Sequence, residues 1–455
     1  MGRKLFGTDG VRGKANQGEM TPETAFRIGA AVTYQARQSR SHAPRVLIGK
    51  DTRVSGYLFE TAITSGVCAM GGKALLTGPL PTPAIAHLTT SMRAEVGIVI
   101  SASHNPYDDN GIKLFGPDGF KLADEREEQI EQLMESRQLE QKRPTGMYVG
   151  RAERLDSAWG RYVAAVKSTF PSELTLDGVR IAVDAAHGAA YLTAPAVFSE
   201  LGAEVHAIGV RPNGKNINSK CGALHPEACA REVRQRRADI GIALDGDADR
   251  LIVIDEKGNL VDGDAVMALC ATRMLRQGLL NKQTLVSTVM SNLGLQHAVE
   301  QEKGCLVRCP VGDRYVVEAM REGGYNFGGE QSGHLVFLDH ATTGDGVLGA
   351  LQLLAIVLRE QRPLSELACE AMQRLPQILV NLKLPVRLPL EQMTCAQTAI
   401  TGAEKKLGQK GRVLVRWSGT EALLRIMVEG PDEKTIGRLA DTIAEAAGSD
   451  VRGGV

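Results

Sequence analysis

Residues 45–56 read RVLIGKDTRVSG: a short β-branched run, then a polar loop that ends in glycine. Apolar residues at helical spacing follow, at Leu58, Phe59, Ala62, Ile63, Gly66 and Val67, and then GGKALLTGPLPTP (71–83). The same layout returns twice. VRIAVDAAHGAA (179–190) leads to a helix with Leu192, Val197, Phe198 and Leu201, then to GAEVHAIGVRPNG (202–214). QTLVSTVMSN (283–292) leads to a helix with Leu293, Leu295, Ala298 and Val299, then to GCLVRCPVGDR (304–314). The repeat is one of layout, not of residues. Strand–helix–strand units favour largely parallel sheets with helices on both faces. The predicted class is therefore α/β: three similar α/β domains with mixed or parallel sheets.

A smaller α+β domain is expected at the C-terminal end. There a Pro-punctuated stretch, RLPQILVNLKLPVRLP (374–389), precedes a helix, the strands RVLVRWSGTE and LLRIMVEG, and a last helix. The polar stretch 140–156 reads as a linker, and DEKGNLVDGD (255–264) divides the second and third units. Expected domains are 1–152, 153–257, 258–372 and 373–455. In open α/β sheets ligands bind beyond the carboxyl ends of the strands, which puts the site in a central cleft.

Bulk properties agree with a multidomain globular chain. At roughly 150 residues per domain, 455 residues correspond to about three domains. Hydrophobic residues are 43% but aromatics only 4%, so aliphatic side chains must fill the cores. Basic and acidic residues balance at 53 each, which predicts neither a nucleic-acid footprint nor an anionic membrane partner. No 18-residue apolar run exists to span a membrane. The start has no apolar segment of a secretory signal. The 8 cysteines form no C-x-x-C pair, and free thiols in a reducing cytoplasm are expected.

Four loops carry candidate chemistry. In VISASHNP (99–106) a strand ends at Ser103. A Ser/Asn turn is the plain alternative to a functional serine. Pro106 biases the segment towards extended backbone, which would point His104 away from Ser103 and make it a poor base. No G-x-S-x-G elbow is present. A serine without an adjacent base can still carry a phosphoryl group, with Lys113 compensating its charge.

IALDGDADRLIVID (242–255) sets Asp245, Asp247 and Asp249 at alternate positions between apolar strands. Such carboxylates repel unless a cation lies among them, and oxygen ligands suit Mg²⁺ or Ca²⁺. Arg250 stands where an EF-hand needs glycine, which rejects that motif. An aspartyl-phosphate nucleophile at Asp245 is the rival. FGGEQSGHLVF (327–337) offers Glu330, Ser332 and His334 on a glycine-rich loop, a set that suits a polyhydroxylated ligand. VRWSGTEALLR (415–425) gathers Arg416, Ser418, Gly419, Thr420 and Arg425 around a tight turn, a cradle for phosphate.

In this order, SASHNP, DGDADR, GEQSGH and RWSGTE resemble the α-D-phosphohexomutases over essentially the whole chain. KLFGTDGVRG, ASHNPYDDNGIKLFG and GEQSGH with Gln331 are most similar to the hexosamine-phosphate subgroup. One departure is Ala422, where the family usually has proline. The resemblance implies interconversion of glucosamine 6-phosphate and glucosamine 1-phosphate through a 1,6-bisphosphate, on the route to UDP-N-acetylglucosamine. It implies a phosphorylated Ser103 and one Mg²⁺ per chain, held by Asp245, Asp247, Asp249 and a phosphoserine oxygen. It gives charge-neutralising roles to Lys113, Arg250 and Arg12, and sugar contacts to Glu330 and Ser332. His334 is its candidate acid/base, and His104 enters the catalytic set with the SASHNP motif. The implied partner is a small sugar phosphate, without nucleic acid or membrane; a homodimer is implied by the family alone. A phosphomannomutase/phosphoglucomutase and a non-catalytic sugar-phosphate or metal-binding module remain the alternatives.

Overall fold

The computed structural model describes residues 5–7, 9–38, 42–418 and 423–453. Four sheets follow one another along the chain. The first contains β1 (Val11–Lys14), β2 (Arg45–Lys50), β3 (Lys73–Pro79), β4 (Val96–Ile100), β5 (Asp109–Phe115) and β6 (Arg151–Arg154), in the order β1-β5-β4-β2-β3-β6. The second contains β7 (Arg180–Asp184), β8 (Glu204–Ile208), β9 (Ile240–Leu244), β10 (Leu251–Ile254) and β11 (Leu260–Val261), in the order β11-β10-β9-β7-β8. The third contains β12 (Thr284–Thr288), β13 (Cys305–Cys309), β14 (Phe327–Gly329) and β15 (Leu335–Phe337), in the order β13-β12-β14-β15.

The repeat is larger than the sequence layout suggested. In each sheet a first strand (β2, β7, β12) pairs in parallel with the strand beyond its crossover helix (β3, β8, β13). On its other side it pairs in parallel with a third strand (β4, β9, β14). That third strand turns back into an antiparallel neighbour (β5, β10, β15). Ser103, the aspartates and Glu330 occupy this same turn in the three sheets. The unit therefore places each candidate loop at the equivalent corner of its sheet.

Burial explains why these strands form. β4 (VGIVI), β9 (IGIAL) and β10 (LIVI) are buried throughout, so they read as continuous apolar runs rather than alternating ones. The fourth sheet, β16 (Gln377–Lys383), β18 (Leu423–Glu429) and β17 (Arg412–Trp417), is wholly antiparallel. Its core packs on the helices Thr394–Leu407 and Glu433–Gly453 through Leu407, Ile426, Ile436 and Ile443.

The stretch 140–156 is more than a linker: β6 adds to the first sheet beside β3. The 255–264 stretch supplies the turn and second strand of the β10–β11 hairpin, and its Asp262 caps the helix Gly263–Gln277 by accepting from Ala265 N. All eight cysteines are free. Among the described residues, no helix is long and apolar enough to cross a membrane.

Candidate active site

The aspartate loop is the meeting point of three domains. From the first, Thr82 N donates to Asp247 O at 3.0 Å. From the third, Gly346 N donates to Ala248 O at 3.0 Å, while Leu251 N donates to Gly333 O at 2.9 Å. Asp245, Asp247 and Asp249 are all buried. They present oxygens within 4.8 Å of one another.

Burial pushes the Asp245 carboxyl well above the ordinary range, and the charges of Asp249 and Asp247 push the same way. Asp249 goes the other way: burial opposes its charge, but Lys113, His334 and Arg250 hold it well below the usual value. Lys113 Nζ lies 2.9 Å from Asp247, 3.3 Å from Asp9 and 3.4 Å from Asp249. Burial works against that ammonium, yet the carboxylates keep its pKa well raised. Asp247 Oδ1 and Asp249 Oδ1 are buried without a hydrogen-bond partner among the described residues. Orphaned carboxylate oxygens inside an all-oxygen donor set fit a hard divalent cation such as Mg²⁺.

Ser103 faces this loop. Its Oγ donates to Asp245 Oδ2 at 2.6 Å. The expected extended backbone is not found. Ser103 has φ +51°, a left-handed conformation, so the chain doubles back and brings His104 Nδ1 to 3.2 Å from Ser103 Oγ. His104 is therefore beside the serine, not on its far side. Burial first, then the positive charges of Arg250 and Arg12, push the His104 imidazole down to about 4, so it is neutral at pH 7.

His334 is 2% exposed. It accepts from Gly344 N at Nε2 and turns Nδ1 towards Asp249 Oδ1, 3.8 Å away. Burial lowers its pKa, but Asp249 and Asp313 outweigh this and hold it raised. Glu330 accepts from Gly312 N at 3.0 Å and from Ser332 Oγ at 3.1 Å. Arg250 N donates to Asp245 at 3.2 Å, and Arg12 pairs with Asp9.

Arg416 and Arg425 sit directly opposite on β17 and β18. Like charges in that position repel. Burial, then Arg425, lowers the Arg416 pKa. Neither Nε finds a hydrogen-bond partner among the described residues, which suits an anion between them. Ser418 N donates to Leu423 O. Gly419 and Thr420, like Ala422, lie outside the described residues.

Several groups escaped the sequence reading. Arg53, wholly buried, pairs with Asp51 at 2.8 Å and donates to four carbonyls of the serine loop. Ser101 Oγ donates to Asp51 at 2.6 Å and accepts from Ser103 N at 2.9 Å. Thr82 Oγ1 donates to Asp247 at 2.7 Å. Lys121 bridges Asp9 and Asp313 across two domains. The charged DTR of residues 51–53, directly after a buried strand, was the one local signal for the first of these.

Comparison with known proteins matches this arrangement. The four profiles of phosphoglucomutase/phosphomannomutase match in order: alpha/beta/alpha domain I at 3–141, domain II at 160–258, domain III at 262–375 and the C-terminal domain at 379–446. The chain belongs to the phosphoglucomutase/phosphomannomutase family. Among similar family members, the phosphoglucosamine mutase of Sorangium cellulosum is 64% identical over 452 residues, covering 99% of this chain and 94% of that protein. That of Citrifermentans bemidjiense is 56% identical, covering 99% and 100%. Among solved structures, a phosphoglucomutase/phosphomannomutase family protein of Burkholderia thailandensis superposes with TM-score 0.82 at 23% identity, covering 99% of this chain and 98% of that one. The Aspergillus fumigatus N-acetylphosphoglucosamine mutase in complex with GlcNAc-6P and magnesium gives TM-score 0.69 at 18% identity, covering 98% and 96%. The α/β fold read from the strand–helix–strand layout, with its smaller C-terminal domain, and the enzyme class implied by the resemblance are those of this family.

Proposed function

We propose that the chain is a phosphoglucosamine mutase that interconverts glucosamine 6-phosphate and glucosamine 1-phosphate. The observation that carries this reading is Ser103 Oγ, 2.6 Å from Asp245 at the junction of two domains, in a chain matched end to end by proteins of that name. Ser103 is the phosphoryl carrier. Its phosphoryl group passes to the 1-hydroxyl of glucosamine 6-phosphate: the P–Oγ bond breaks, a P–O1 bond forms, and the proton of the 1-hydroxyl ends on Ser103 Oγ. The 1,6-bisphosphate reorients while bound. Its 6-phosphoryl returns to Oγ: the P–O6 bond breaks, a P–Oγ bond forms, and the Oγ proton ends on the freed 6-oxygen, which regenerates the phosphoenzyme.

Phosphoryl transfer needs positioning and charge stabilisation more than covalent help. Asp245, Asp247 and Asp249 would hold one Mg²⁺ together with a phosphoserine oxygen. When bound, the ion neutralises charge on the transferring group. Lys113 keeps Asp247 and Asp249 paired. Arg250 and Arg12 add positive charge beside them. His104, neutral at pH 7, is placed to take the Oγ proton when Ser103 regains its phosphoryl group. His334, with Nδ1 3.8 Å from Asp249 Oδ1, is the candidate acid/base on the sugar side. Glu330 and Ser332 bind sugar hydroxyls. Arg416, Ser418, Gly419, Thr420 and Arg425 hold the phosphate that is not reacting.

The test is kcat/KM with Mg²⁺ for glucosamine 6-phosphate against glucose and mannose 6-phosphates, with Ser103→Ala beside the native chain. A preference for the amino sugar that the variant abolishes is expected. A preference for the neutral sugars would keep the mechanism and move the substrate to the neighbouring subgroup. Full activity of Ser103→Ala would transfer the nucleophile to Asp245.

A further inference from the structure

We propose that Asn218, acting with Arg53, is a positioning residue for phosphoryl transfer: it clamps the Ser103 peptide in its left-handed conformation and ties it to the second domain. The proposal rests on the reading of Ser103 as the phosphoryl carrier. A serine at φ +51° is strained unless its surroundings over-determine it. Here they do. Asn218 Nδ2 donates to Ser103 O at 2.9 Å and to Asn105 O at 3.1 Å. Arg53 Nη2 donates to the same two carbonyls, at 3.0 and 2.8 Å. Each carbonyl thus has both lone pairs engaged, one by a donor from each domain.

Asn218 is itself held. It is 8% exposed, and its backbone N donates to Ala186 O at 2.9 Å. Gly246, within the aspartate loop, closes the third side. A Cβ there would stand 2.5 Å from Ser103 O and 2.9 Å from Asn218 Nδ2. The carbonyl, the amide and the metal loop therefore have a single mutual arrangement. Neither Asn218 nor Arg53 is bonded to Ser103 Oγ, so both act through the backbone. A reacting atom misplaced by about 1 Å costs on the order of 100-fold in rate, and this clamp sets where Oγ stands.

The variants are Asn218→Asp, which keeps the shape but turns an acceptor towards the two carbonyls, and Asn218→Ala. The full-length enzyme is charged with labelled hexose 1,6-bisphosphate, label at Ser103 is verified by mass spectrometry, and single-turnover transfer to glucosamine 6-phosphate is timed. Both variants are expected to transfer about 10- to 100-fold more slowly. KM should change less than about threefold, because no sugar contact is lost. Asn218→Asp transferring at the native rate would overturn the proposal, because space filling would then suffice. A rise in KM with unchanged transfer would overturn it too, by making Asn218 a substrate-binding residue. If Asn218→Ala fails to fold, Asn218→Asp alone decides. Label missing from Ser103 in the native enzyme would overturn the carrier reading and this proposal together. Label present with fast Asn218→Asp transfer overturns this one alone.

Discussion

Asp247 shows how much one side chain carries. Its Oδ2 accepts from Thr82 and Lys113, while its Oδ1 is buried without a partner among the described residues. Asp247→Asn keeps the volume but removes the charge and brings an amide donor towards the Lys113 ammonium. Mg²⁺ affinity should fall by more than the roughly 10- to 100-fold that losing a mere supporting partner costs, and kcat should fall with it. Calorimetric titration with Mg²⁺ and activity against Mg²⁺ concentration measure both. An unchanged Mg²⁺ optimum would take Asp247 out of the ligand set. At Arg53, the bonds to four carbonyls and the buried pair with Asp51 make truncation costly. Breaking a buried ion pair by removing one partner costs about 3–5 kcal/mol, so Arg53→Ala should unfold at lower denaturant than Asn218→Ala.

At the scale of elements, the helix Gly346–Glu360 depends on Asp345. Its carboxylate caps the helix by accepting from Val347 N and Leu348 N at 3.0 Å, and it accepts from Tyr162 OH. Asp345→Ala orphans these donors; losing such a cap costs about 0.5–2 kcal/mol, and the buried tyrosine hydroxyl adds to that. A lower thermal midpoint is expected. Because Gly346 N also holds Ala248 O, the aspartate loop should loosen as well. Burial raises the Asp345 pKa from 3.8 to about 6. Between those values the folded chain keeps a proton that the unfolded chain releases, so this group's contribution to stability declines as pH rises through that window. Asp345→Asn keeps the shape and loses the titration. The midpoint of Asp345→Asn minus that of the native chain should therefore grow from about pH 4 to about pH 6. A difference that stays flat with pH would place the Asp345 carboxyl at its ordinary value.

At the scale of the molecule, backbone carbonyls of the third domain moor the C-terminal domain. Arg412 donates to Val289 O at 3.0 Å and to Ser291 O at 2.9 Å while pairing with Glu429. Met290 of the same loop touches Arg416 of the proposed phosphate cradle. A bisphosphate that turns around needs one cradle to accept both of its orientations, which favours a fourth domain that closes and opens. Small-angle scattering should show a smaller radius of gyration with bisphosphate bound, and Arg412→Ala should widen the unliganded distribution. No compaction on binding would exclude closure of this domain.

The four motifs, their order and the α/β class were legible in the chain because each is local: a buried strand, a turn and polar residues within a dozen positions. DGDADR between IAL and LIVI reads as a metal loop because carboxylates that close need a cation whatever the fold. The rest required tertiary structure. The left-handed turn at Ser103 defied the extended backbone that Pro106 suggested, since Arg53, 50 residues away, and Asn218, 115 away, hold it. Lys121 meets Asp313 across 192 residues. The three candidate loops stand at equivalent corners because, in each of the first three sheets, the apolar strand before the loop pairs in parallel and returns antiparallel, a pairing the strand–helix–strand pattern does not show. Propensity and spacing act over a few residues; the direction of a buried donor and the partner of a buried charge are settled by packing between distant segments.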